Sequence, residues 1–282
     1  MKNKPEQTQV SQQEMHDKVN KTMQEDFKLK ENPRTKEAIE ALNKTQEIID
    51  LIQKDKIDEA KSKLTQLIGE LEVLITKDPA ASLIPIGINY ELRDTIVDIP
   101  TAQQVIAEAK EAFEKGYYQV AKTILNGLSS EYVLKISFLP LATYPEAMKL
   151  AAALLDESKK EDALAVLLNA FYILAVQEIA IPLPVLRAEE YIKLAAEAMK
   201  AQKEDYKAAA ILLLTNAEYQ LELAEVMGYG KKDKEYKDLA IAIDELKKAI
   251  DKENETESLF DKLSEKIKAF KERLFFDKVK EN

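Results

Sequence analysis

Ile57-Asp-Glu-Ala60-Lys-Ser-Lys-Leu64 opens with a polar turn, then places an alanine and, four residues on, a leucine. The same pattern returns as Tyr118-Gln-Val-Ala121-Lys-Thr-Ile-Leu125, Lys160-Glu-Asp-Ala163-Leu-Ala-Val-Leu167 and Tyr206-Lys-Ala-Ala209-Ala-Ile-Leu-Leu213. Residues four apart lie one above the other on a helix, so each stretch reads as the first turns of an amphipathic helix. Each also follows an earlier helical pattern across a turn of about 2–5 residues, which forces the two helices antiparallel. The small alanine lets the partner helix approach closely. Leu64, Leu125, Leu167 and Leu213 are expected to fill the space one turn further on. The alanines stand 61, 42 and 46 residues apart, an irregular series of helical hairpins.

Working outward, Ile39, Leu42, Ile48, Ile49 and Ile52 continue the helical period ahead of the first turn. Asp78-Pro79 is expected to stop the second helix, because proline removes a donor and restrains its neighbour. Thr101 is a candidate N-cap for a helix over 102–115, and Gly116 its terminator. The partner helix is predicted from Tyr117 to about Ile136. A third hairpin is predicted from Pro145 to Glu157 and from Glu161 to about Ala180. The fourth runs from Val185 to Lys203 and on to Met227, closed by Gly228-Tyr-Gly230. Beyond it, Lys231–Lys252 and Ser258–Lys278 read as accessory amphipathic helices. Residues 1–36 are polar and read as disordered or loosely helical. The expected organisation is therefore an all-α chain: a polar segment 1–36, a hairpin core 37–230, and C-terminal helices 231–282.

Bulk composition narrows the function. The chain has 282 residues, a net charge of −10 and 33% charged residues. That acidity argues against nucleic acid as a partner. The absence of cysteine removes disulfides, thiolate metal sites and cysteine nucleophiles. No apolar run reaches the roughly 18–20 residues of a membrane span. The first 30 residues hold no secretory h-region. The single His16 lies in the polar segment, and no Glu-x-x-His pair, P-loop or Gly-x-Ser-x-Gly elbow occurs. Gly-Tyr-Gly-Lys-Lys at 228–232 reads as a helix end rather than a phosphate loop. A non-enzymatic protein without cofactor or metal is the expectation.

The first three hairpins lead into apolar–proline connectors: Leu83-Ile-Pro-Ile86, Phe138-Leu-Pro-Leu141 and Ile181-Pro-Leu-Pro-Val185. Such runs favour extended backbone. Stacked hairpins would gather them at one end, either to cover the core or to line a groove. Two of the four arginines sit here, Arg93 and Arg187, in a chain that otherwise uses lysine. An arginine in that setting points to a use for its planar fork. Two readings follow: a clamp onto Asp94, Glu189 or Glu190, or an anion-binding site with Tyr90, Tyr144 and Tyr229 supplying hydroxyls. The last helix sets Leu259, Phe260, Leu263, Ile267, Phe270, Leu274 and Phe275 opposite lysines. That face packs on protein or lies on a membrane surface.

Ile86-Gly-Ile-Asn-Tyr-Glu-Leu-Arg-Asp94, Leu139-Pro-Leu-Ala-Thr-Tyr-Pro145, Ile181-Pro-Leu-Pro-Val-Leu-Arg-Ala-Glu189 and Met227-Gly-Tyr-Gly230 resemble the YfdX family of bacterial proteins, over about residues 38–275. The resemblance implies a helical, stress-associated and often periplasmic protein with no known enzymatic activity. Chaperone-like or small-ligand binding is what it implies for function. Lacking a signal, this chain departs from that pattern and leaves the cytoplasm open. The expected function is holdase-like binding through the connector end, with a protein client or a second copy as partner. The alternative is a small-molecule module using Arg93, Arg187 and Tyr144.

Overall fold

The computed structural model describes residues 5, 10–28, 32–77, 82–96, 98–230 and 233–273. The expected stop at Asp78-Pro79, the pair Lys231-Lys232, and Leu274 and Phe275 lie outside them. In chain order the elements are α1 (Gln12–Asp26), α2 (Pro33–Gln53), α3 (Ile57–Lys77), β1 (Leu83–Asp94), α4 (Ile99–Glu114), α5 (Tyr118–Asn126), β2 (Ser130–Pro140), α6 (Tyr144–Asp156), α7 (Lys160–Tyr172), β3 (Ala175–Pro182), α8 (Leu183–Ala201), α9 (Tyr206–Met227), α10 (Lys234–Asp251) and α11 (Glu257–Lys271).

Three of the four hairpin turns repeat the same backbone bonds. Lys56 N–H donates to Leu51 C=O, Tyr117 to Ala112 and Lys159 to Leu154, at 2.9, 2.9 and 2.8 Å. These are the six-to-one bonds of a Schellman motif, which needs a left-handed residue just inside the turn. Asp55, Gly116 and Ser158 take that conformation, with φ of 59°, 80° and 60°. Only glycine does so without a steric cost, as at Gly116. Ala60, Ala121, Ala163 and Ala209 then donate to the carbonyls of Lys56, Tyr117, Lys159 and Asp205. The repeat alanine is thus the first amide of each second helix to find an intrahelical partner.

Facing is less uniform. Ala60, Ala121 and Ala163 are buried, as are Leu64 and Leu167. In α9 the buried positions are Ala210 and Leu214, with Leu213 at the margin. Leu125 departs from the expected pattern altogether, at 50% exposed.

The all-α expectation holds for the helical bulk and fails at the connectors. They form a three-stranded antiparallel sheet, order β1-β2-β3. The expected helices Tyr117–Ile136 and Glu161–Ala180 are cut short at Asn126 and Tyr172. Gly127 ends the first. The β-branched and aromatic runs Tyr132-Val-Leu-Lys-Ile-Ser-Phe138 and Val176-Gln-Glu-Ile-Ala-Ile181 then favour strand. The cap of α4 also differs from expectation. Asp98 rather than Thr101 is the N-cap, its carboxylate accepting the Thr101 N–H at 2.8 Å.

The chain divides into two compact units that interleave along the sequence. The second unit comprises Lys28–Asn89 and Leu134–Glu178. Here hairpin α2–α3 packs on hairpin α6–α7, with α3 against α6 and α2 against α7. Ile48, Ile52, Leu64, Leu67, Leu71, Met148, Leu155 and Leu167 close the bundle core. Buried Thr45 donates to Ala41 C=O at 2.9 Å and accepts the Tyr144 hydroxyl at 2.7 Å, so neither hydroxyl is orphaned in that core.

The first unit comprises Met1–Phe27, Tyr90–Val133 and Ile179–Asn282. Its main core joins α8 and α9 to α10 and α11 through Ile192, Leu214, Leu221, Ile243, Leu246, Phe260, Leu263, Ile267 and Phe270. The described apolar residues of α11 therefore pack on their own protein. No described helix is long and apolar enough to cross one. A smaller cluster, with Ile99, Ala102, Leu128, Tyr219 and Leu223, seats the base of hairpin α4–α5 on α9. Within the segment expected to be disordered or loosely helical, α1 is an ordered helix. Ser11 and Glu14 form its capping box, and Met15, Val19 and Met23 are buried.

Candidate functional site

The candidate residues fall into two groups. Tyr144 belongs to the second unit, where burial pushes its hydroxyl pKa up to about 12 despite the Thr45 hydrogen bond. It is a core residue. Tyr90, Arg93, Asp94, Arg187, Glu189 and Tyr229 all lie in the first unit.

Three elements meet at Arg187. It occupies the first turns of α8, and Asp94 ends β1. The Arg187 Nη2 donates to Asp94 Oδ2 at 2.5 Å, with the two side chains 7% and 15% exposed. From α1 comes His16, whose Nε2 stands 2.8 Å from the same Asp94 oxygen and 2.9 Å from Arg187 Nη2. One ring nitrogen cannot serve both contacts. Protonated, it donates to Asp94; bare, it accepts from Arg187. Either way the imidazole is tied to the arginine–carboxylate pair. Asp94 Oδ1 is buried without a partner among the described residues.

The network continues along α8. Glu190 accepts from Thr22 of α1 and from Lys193, both at 2.8 Å. Glu189 accepts from Lys271 of α11 at 2.7 Å and pairs with Lys193 at 3.2 Å. Lys271 itself is buried. Burial alone would raise the Glu189 pKa, but Lys271 and Lys193 outweigh it and hold it below the ordinary value of 4.5. A carboxylate lowered in the folded state contributes stability above its unfolded pKa, and loses it as pH falls through the folded one. Unfolding free energy is therefore expected to drop as pH falls below about 4.5. Urea midpoints across that range should show a shallower drop in Glu189→Gln than in the parent. An identical slope would show that Glu189 plays no part.

The remaining candidates hold strand ends. Arg93 pairs with Glu91 at 2.8 Å and approaches Glu131 at 3.9 Å. The Tyr229 hydroxyl accepts the Ser130 N–H at 3.1 Å and donates to Glu131 at 3.0 Å. Burial first, and then the Glu131 charge, push its pKa upward. Buried Ser130 accepts from the Thr95 and Ile96 amides at 3.2 and 3.0 Å and donates to Ile96 C=O. The Tyr90 hydroxyl donates to Phe27 C=O at 3.3 Å.

The geometry thus joins Arg187 to Asp94 and leaves Arg93 and Tyr144 elsewhere, each with intramolecular partners. Among the described residues no group of three or more histidines, aspartates or glutamates is placed to hold a metal ion. Sequence reasoning missed His16, Thr22, Lys193 and Lys271. The signal for the first two was present, in Ser11-Gln-Gln-Glu14 followed by Met15, Val19 and Met23 at four-residue steps. For Lys271, one lysine among many on α11, there was none.

Residues 41–180 match the YfdX protein family. The match takes in Ile86–Asp94 and Leu139–Pro145 but neither Ile181–Glu189 nor Met227–Gly230, so it is shorter than the 38–275 expected from resemblance. No curated protein matches the chain. Among solved structures, the YfdX protein of Salmonella Typhi aligns at 15% identity, covering 52% of this chain and 91% of that one, with a TM-score of 0.33.

Proposed function

From the premise that this chain belongs to the YfdX family through residues 41–180, we propose that it is a non-enzymatic binding protein that holds extended apolar segments of a client polypeptide. The observation that carries this reading is the outer strand of the connector sheet. β3 stands at the end of the strand order, so one side of its backbone has no strand beside it among the described residues. Unpaired strand edges capture extended chains by adding a strand. Just ahead of it and within it, Tyr172, Ile173 and Val176 are 72%, 71% and 57% exposed. They supply the apolar contact that selects an unfolded client over a folded one.

The role needs no nucleotide, and the sequence holds no nucleotide motif. Equimolar protein without ATP is expected to suppress aggregation of a thermally unfolding client. The pair Tyr172→Asp and Val176→Asp should abolish that suppression while leaving the circular dichroism spectrum unchanged. Ordinary client aggregation in the presence of the parent protein counts against the reading. The small-ligand alternative has less support, because Arg93, Arg187 and Tyr144 are each engaged inside the protein.

A further inference from the structure

Helix α1 is held on the first unit by few ties. Of its 15 residues only Met15, Val19 and Met23 are buried, at four-residue steps along one face. It packs chiefly on α8. There, Leu183 through Glu190 are buried without a break, so the first turns of α8 are covered on every side. Helices α9 and α11 supply part of that cover. Arg187 and Glu190, three residues apart and so neighbours on one helix face, meet α1 instead. His16 stands 2.9 Å from Arg187, and the Thr22 hydroxyl donates to Glu190 at 2.8 Å. Yet every charge that α1 touches there is already paired without it. Arg187 keeps Asp94 at 2.5 Å and Glu190 keeps Lys193 at 2.8 Å. Lys271 keeps Glu189 at 2.7 Å when Asp26, 3.7 Å away, is withdrawn. Departure of α1 therefore strands none of these charges, the event that makes breaking a buried pair costly. The Tyr90 hydroxyl, which donates to Phe27 C=O, turns to water.

We infer that α1 fills, in cis, a helix-binding groove of the first unit, and that an amphipathic helix of another polypeptide takes its place there. The resident helix defines the partner. Apolar side chains at i, i+4 and i+8 replace Met15, Val19 and Met23, and hydrogen-bonding side chains beside them meet Arg187 and Glu190. This is the helix-in-groove mode of recognition. Two of the three resident anchors are methionine, whose unbranched thioether chain suits a surface that accepts more than one sequence. The segment also carries its own start signal. Ser11 and Glu14 close the capping box, and Val10 and Met15 occupy the two staple positions around it. Its helix therefore begins without help from the body of the unit, as that of an incoming segment must. Because α1 is tethered, it competes at high effective concentration, so the groove admits only a helix with better anchors. The groove uses none of Tyr172, Ile173 and Val176, and the inference stands apart from client capture at β3.

The probe is a fluorescein-labelled peptide of residues 10–28 of this chain. By fluorescence anisotropy it should bind the full-length double variant Val19→Asp and Met23→Asp one to one. It should bind the parent about tenfold or more weakly, because the parent's groove is free only in the fraction of molecules whose α1 is away. An unlabelled peptide with leucine at the three anchor positions, the histidine and threonine kept, and alanine, lysine or glutamine elsewhere should compete it off. The same peptide with its leucines moved one residue along should not. No binding to a folded double variant overturns the inference. So does equal binding to variant and parent, competition that ignores the phase of the leucines, or loss of binding when Tyr172→Asp and Val176→Asp are added. If the double variant misfolds, hydrogen exchange of the unaltered parent decides. Amides of α1 should exchange at least about a hundredfold faster than those of α9, through opening of α1 alone. Equal protection of α1 and α9 means that α1 leaves only when the whole unit unfolds, and overturns the inference equally.

Discussion

Arg187→Ala is expected to cost about 3–5 kcal/mol of unfolding free energy, the range found when one partner of a buried ion pair is removed. The pair is nearly dry, with side-chain exposures of 7% for Arg187 and 15% for Asp94. Truncating the arginine leaves Asp94 facing only His16, with its second oxygen already unpartnered. Desolvation of that carboxylate is then uncompensated. Urea denaturation measures the loss directly. A cycle that adds Asp94→Ala should recover part of it, since the double variant no longer buries an unpaired charge. The same experiment decides between clamp and ligand site. If Arg187→Ala costs less than about 1 kcal/mol, the pair behaves like an exposed one, and the arginine is freed for a ligand-binding role.

Phe270→Ala is expected to cost a further about 3–5 kcal/mol, independently of the clamp, as a fully buried aromatic cut to a methyl group. Phe270 is 0% exposed in the main core of the first unit, and its ring meets Tyr236 edge-on at 4.8 Å. The loss should show as a lower melting temperature in plain buffer without lipid. A helix resting on a membrane surface predicts the opposite: little change in buffer, and loss of vesicle binding. Unchanged stability of Phe270→Ala would separate α11 from the core.

Both substitutions fall on residues of different legibility. Phe270 was visible, because Phe260, Leu263, Ile267 and Phe270 share a helical face whatever covers them. What the pattern left open was the cover, own core or membrane, and packing against α8–α10 decided it. Arg187 stood out as a rare arginine beside prolines, but its partner among three neighbouring carboxylates did not. His16 was set aside for lying in a polar segment. It matters because α1, marked by only three apolar residues, carries it to α8. Leu125 teaches the converse. The repeat predicted its burial, and the repeat was right about the backbone. Burial needs a partner surface as well as a helical face, and among the described residues none covers Leu125.

By itself the sequence determined the local scaffold: four hairpins, with turns read at Lys54–Lys56, Gly116, Ser158–Lys160 and Glu204–Asp205, and the apolar rows of α2 and α3. These depend on contacts three to five residues apart and on the few residues that tolerate a left-handed backbone, so short windows contain the information. Tertiary structure decided the rest. Strand replaced the expected helix at 130–136 and 175–180 because a neighbouring strand satisfied the backbone there, a choice that propensity alone settles weakly. The hairpins sorted alternately into two units. The charged network drew on positions 16, 22, 94, 187, 189, 190, 193 and 271. Its members become partners only after the chain has folded, because screening in water leaves charges that far apart along the sequence unable to select one another, while burial makes each pairing costly to break.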